Sequence, residues 1–74
     1  MIEELSLVAL RRDIPAHGLV AGDVGTVVMV HANGAGYTVE FIAFDGETIA
    51  IETLPADALR PLAPREIANA RAVA

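Results

Sequence analysis

Two histidines, ten carboxylates and one serine make up most of what this 74-residue chain could use for acid–base, nucleophilic or metal chemistry. Ser6 has no histidine near it in sequence, so no Ser–His pair is spelled out. His17 and His31, with Asp13, Asp23 or Glu40, carry the donor atoms a divalent cation needs. Their spacing follows no ligand motif, and His17 in a Pro/Gly loop reads as a turn residue with an exposed ring. Asp45, Glu47 and Glu52 resemble paired acids only by proximity, because strand alternation places Glu52 on the outer, solvated side. Gly22-Asp23-Val24-Gly25 has the spacing of a phosphate-cradling loop but leads into a β-strand, where such loops need a helix amino terminus behind the glycines. The inventory predicts no catalytic residue, no metal and no cofactor, hence not an enzyme.

Binding candidates are few. Arg11, Arg12 and Arg60 interrupt an acidic field, and a last strand beside the first would gather them on one rim. Surface pairing with Asp13 and Asp57 is the simpler expectation for them, worth at most about 1 kcal/mol each. Phe44, beside the Asp45-Gly46 turn, is the aromatic expected to be exposed. Net charge is −5, from ten carboxylates against five arginines and no lysine. That is the wrong sign for a phosphate backbone, so nucleic acid is not the expected partner. With no cysteine, disulfides and thiolate metal sites are excluded, as befits a reducing compartment. The opening MIEELSLVAL lacks a basic n-region, and the longest apolar run, Val27 to Val30, is too short for a membrane span. A soluble cytoplasmic protein with no membrane contact is expected.

The elements that must position these residues are short. LSLVAL, Leu5 to Leu10, reads as a first strand, and Ile14 to Asp23 as a structured loop turned by Pro15, Gly18 and Gly22. Val24 to His31 is the strongest strand, with Gly25 marking a bulge or a close backbone approach. Asn33-Gly34-Ala35-Gly36 signals a hairpin. Tyr37, Val39 and Phe41 then alternate inward against Thr38, Glu40 and Ile42. After a second hairpin at Asp45-Gly46, Ile49 and Ile51 alternate with Thr48, Ala50 and Glu52. Asp57 caps a single turn before a last short strand, and Ile67, Ala70 and Val73 give the tail weak helical spacing. The expectation is an all-β, five-stranded SH3-like barrel over residues 1–63, with a one-turn helix before the last strand. Residues 64–74 are expected to form a tail, as a marginal helix or disordered. An open five-stranded sheet with the tail helix on one face is the alternative.

The stretches LVAL, DIPAHGLVAGDVGTVV, GYTVEF and TLPADALRPL, together spanning Leu5 to Leu62, resemble the DUF4926 family of small bacterial proteins of unassigned function. A more distant similarity is to the SH3-like domain of the nitrile hydratase β subunit and to KOW modules. The resemblance implies an SH3-like barrel without known catalytic residues, and a small stand-alone gene beside another short gene. It points to a non-catalytic protein-interaction module, an accessory or antitoxin-like protein whose acidic surface masks a basic partner. A KOW-like nucleic-acid-binding module is the alternative. A homodimer through an edge strand fits so small a core, and so does a monomer.

Overall fold

A computed structural model describes residues 1–73. It is all-β, with β1 (Leu7–Leu10), β2 (Val24–His31), β3 (Gly36–Ile42), β4 (Thr48–Pro55) and β5 (Leu59–Pro61) in a single antiparallel sheet ordered β4-β3-β2-β1-β5. The meander of β2, β3 and β4 and the return of β5 to the side of β1 follow from the hairpin glycines and the single turn at Ala56–Ala58. Helical structure among the described residues is limited to isolated 3-10 turns, so the tail after Pro64 runs as a non-helical chain. Ala74, the last residue of the expected tail, lies outside the described residues.

The core lies on the inner face of the coiled sheet. Val8 and Leu10 from β1, Val27 from β2, Tyr37, Val39 and Phe41 from β3, and Leu59 from β5 are all buried there, closed by Leu19 from the β1–β2 loop. The three inward residues of β3 are those its strict alternation selects.

Strand β4 departs from expectation. Phe41 pairs with Ala50 but Ile42 pairs with Thr48, so Ile49 is an extra residue on β4. A one-residue shift sends each later side chain to the opposite face. Ala50, Glu52 and Leu54 therefore lie opposite Phe41, Val39 and Tyr37, and Ile51 is turned out to solvent. The alternation with Ile51 inward and Glu52 outward is thus corrected by the bulge, while Ile49 still packs against the core. A second bulge, between Val27 and Met29, falls inside β2. Gly25 itself is regularly paired with Val8 and marks a close approach instead.

The long β1–β2 loop is held internally. Ile14 bridges Leu19 around the 3-10 turn Pro15–His17, and the Asp13 and Asp23 carboxylates accept bonds from the amides of Ala21 (2.8 Å) and Val20 (2.9 Å). Before β1, Leu5 has φ +67° with its side chain mostly exposed, while its amide donates to the Val27 carbonyl. The left-handed region costs a residue with a Cβ about 1–2 kcal/mol, whereas glycine loses about 0.5–1 kcal/mol through chain entropy. Leu5→Gly should therefore stabilise the domain by about 0.5 kcal/mol and raise the melting temperature by about 2–4 °C in a thermal scan.

Candidate interaction surface

The sequence-derived candidates separate in space. His17 Nε2 meets Glu52 Oε1 at 2.6 Å, tying the long loop to β4. His31 Nε2 meets Thr38 Oγ1 at 2.7 Å, and Thr38 continues to Thr53 at 2.9 Å. The two histidines serve different parts of the sheet, and among the described residues no group of three His, Asp or Glu side chains is placed to hold a metal. Asp45 accepts the Glu47 amide at the tip of the β3–β4 hairpin, a turn-forming role. Gly22, with φ +93°, leads into β2, so no helix terminus backs the glycines there.

Each rim arginine is already engaged. Arg11 Nε donates to the Leu59 carbonyl at 3.0 Å, Arg12 stands 3.7 Å from the exposed Asp57 carboxylate, and Arg60 forms a fork with Glu66, its closest contact being 2.7 Å. The expected positive spot is thereby largely neutralised.

Two features escaped the motif reading. The first is apolar. Leu7 is 52 %, Val24 44 %, Ile42 49 % and Phe44 97 % exposed, and all four line a groove of about 590 Å³ beside the outer face of β1, β2 and β3. From β2 the groove takes Val24, Gly25 and Thr26, so the apolar run Val27 to Val30, which carries the β2 bulge, was not a signal for it.

The second is the tail that forms the other wall of this groove. Its proximal end is anchored where Glu66 takes the Arg60 fork and accepts the Ala63 amide at 2.6 Å. At its distal end Arg71 grips Asp23 with two nitrogens, Nε to Oδ1 at 2.8 Å and Nη2 to Oδ2, while Nη2 also donates to the Gly18 carbonyl at 2.8 Å. Bidentate guanidinium–carboxylate pairing adds direction to charge. Between the anchors the strap is loosely packed, with Ile67 94 % exposed. A lone arginine in the otherwise uncharged segment NARAVA was the only sequence sign of the distal anchor.

Electrostatics reflects both anchors. The Arg71 guanidinium holds the Asp23 carboxyl below its ordinary range, partial burial opposes this, and the Val20 amide reinforces it. Glu66 is pushed down to about 2 by the Arg60 guanidinium, with help from the Ala63 amide. Carboxyl groups depressed in the folded state contribute docking strength that is fully present above their ordinary values and lost as pH falls through the depressed ones. The strap should therefore stay in place from neutral pH to about pH 4.5 and be released on acidification, the Glu66 end letting go near pH 2. Because the contacts are exposed, raising NaCl from 0.05 to 0.5 M should loosen them as well. Proton–nitrogen spectra following Arg71 Nε and the Val20 amide would check both.

None of the helical turns among the described residues is long and apolar enough to cross a membrane. No curated protein and no solved structure matches the chain. The family described as "Domain of unknown function (DUF4926)" matches over residues 4–61, which includes all five strands and the long loop. Over that stretch, and with the sheet described above, the chain belongs to the DUF4926 family.

Proposed function

We propose that this chain is a non-catalytic protein-interaction module whose partner covers the outer face of β1, β2 and β3. The observation that carries the reading is the set of exposed apolar side chains there, Leu7, Val24, Ile42 and Phe44, gathered along one groove in a chain of net charge −5. Contiguous apolar surface rimmed by charge is a common mark of interaction sites, and an acidic field favours a basic partner. An accessory or antitoxin-like role in the cytoplasm, masking a basic protein, fits these properties and the cysteine-free composition.

The nucleic-acid alternative draws on Arg11, Arg12 and Arg60 as phosphate contacts. Arg11 and Arg60 have acceptors within the chain and Arg12 stands beside the Asp57 carboxylate, which weakens that reading. The deciding experiment is the native mass of the protein purified from its own cells with its chromosomal neighbour intact. A stable heteromer containing a basic protein is expected. A lone chain, together with an RNA mobility shift at low salt, would replace the proposal with the nucleic-acid one.

A further inference from the structure

The distal anchor of the strap has the parts of a receptor for a guanidinium group. Asp23 is fixed from below by the Val20 amide, which donates to Oδ2 at 2.9 Å, and its backbone is tied to β1 because Leu10 donates to the Asp23 carbonyl at 2.9 Å. Gly18, at φ +68°, ends the 3-10 turn and presents its carbonyl to the same Arg71 nitrogen that meets Asp23. Two acceptors, one from the middle of the loop and one from its end, thus converge on a single cation. The loop is internally bonded, so the acceptors are organised independently of the tail.

The tail satisfies only the charged end of this groove. Arg71 fills the acceptor pair, yet Ile67 projects into solvent while Leu7, Val24 and Ile42 remain about half exposed. A segment with arginine at the Asp23 end and larger aliphatic groups along the floor would use both parts, and its positive charge complements the chain's net −5.

Resting on the reading of the chain as an interaction module, we infer that the groove receives an extended, arginine-bearing segment of a basic protein partner, and that residues 67–73 act as an internal mimic the partner must displace. The mimic competes as an intramolecular ligand, at an effective concentration of about millimolar for so short a tether. Loosening it raises the affinity for an external arginine segment without altering the receptor.

The test uses the full chain and two synthetic peptides: one with the sequence of residues 63–74, and the same peptide with citrulline, the uncharged analogue, in place of its second arginine. Each is titrated into isotope-labelled wild-type, Arg71→Ala and Asp23→Asn chains while the Val20 and Gly18 amide signals are followed. Expected is binding to Arg71→Ala at least tenfold tighter than to wild type, with at least tenfold loss on citrulline substitution. Asp23→Asn, which keeps an acceptor for the Val20 amide but removes the charge, should abolish binding. If that variant fails to fold, the citrulline comparison still decides. Equal binding to wild type and Arg71→Ala, or equal binding of the two peptides, would overturn the inference. Sedimentation of the wild-type chain is expected to show a monomer, and a dimer abolished by Arg71→Ala would assign the groove to a second copy's tail instead. A heteromer found by native mass whose affinity ignores both Arg71→Ala and Asp23→Asn would leave the interaction module standing and remove this inference. Peptide binding as expected, with no heteromer in cells, would overturn the interaction module and with it the partner segment, leaving only a groove that binds its own tail.

Discussion

Gly25→Val should destabilise the domain by at least about 3 kcal/mol. A Cβ built on Gly25 would stand 2.5 Å from Val39 Cγ1, 2.9 Å from the Glu40 carbonyl oxygen and 3.0 Å from Phe41 Cδ1. Val39 and Phe41 are in the core, at 0 % and 3 % exposed, and the third obstacle is backbone, so none of the three has room to retreat. Ordinary overpacking costs about 1–3 kcal/mol, and displacing a paired strand adds to that. A chain this size is expected to be stable by about 4–11 kcal/mol, and small domains tend toward the lower part of that range. A loss of at least about 3 kcal/mol would lower the melting temperature by more than about 12 °C. Gly25→Ala places the same Cβ without the two methyl groups and should fall between valine and wild type. Circular dichroism melts of the three proteins would check the series, and a valine variant melting with wild type would mean that β2 does not pass β3 this closely.

The same glycine shows where sequence reading succeeds. Its place inside a run of β-formers predicts either a bulge or a close approach, and geometry selects the approach, while the bulge sits two and more residues later, between Val27 and Met29. Tyr37, Val39 and Phe41 were legible because strict alternation in a strand with one buried face has a single solution. Strand β4 was not, because its phase depends on the extra residue at Ile49. A bulge of that kind has no residue signature when the bulged residue is itself a good β-former. Glu52 consequently read as a solvated outer residue, yet it lies across from Val39 and meets His17.

The interaction surface was harder still. Phe44 was identifiable from its position beside a turn, whereas the floor of the groove draws Leu7, Val24 and Ile42 from three strands whose adjacency only the sheet order supplies. Likewise Asp23 and Arg71 are 48 residues apart, and nothing local to either names the other. The arginines of the rim illustrate the converse. Their types and positions suggested a positive spot, and Leu59, Asp57 and Glu66 take up their hydrogen bonds and charge.

Tyr37 tests how the core and the amino terminus depend on each other. It is the largest of the fully buried side chains, it pairs across β3 with Val30 on one side and Leu54 on the other, and its hydroxyl accepts the Ile2 amide at 3.0 Å. Truncating a buried aromatic to alanine removes its transfer energy and leaves a cavity, together about 3–5 kcal/mol. In a domain of this size that approaches the whole stability, so Tyr37→Ala should be unfolded or nearly so in water. Tyr37→Phe keeps the ring and loses one hydrogen bond, about 1 kcal/mol, and should fold with a melting temperature lower by about 4–8 °C. Its distinguishing sign is local: the Ile2 amide, deprived of its acceptor, should exchange with solvent faster while the amides of β2 and β3 keep their protection. If instead phenylalanine proved as damaging as alanine, the tether from Ile2 to Tyr37 would be a condition for closing the core, and the segment before β1 would have to be counted as part of the folded domain.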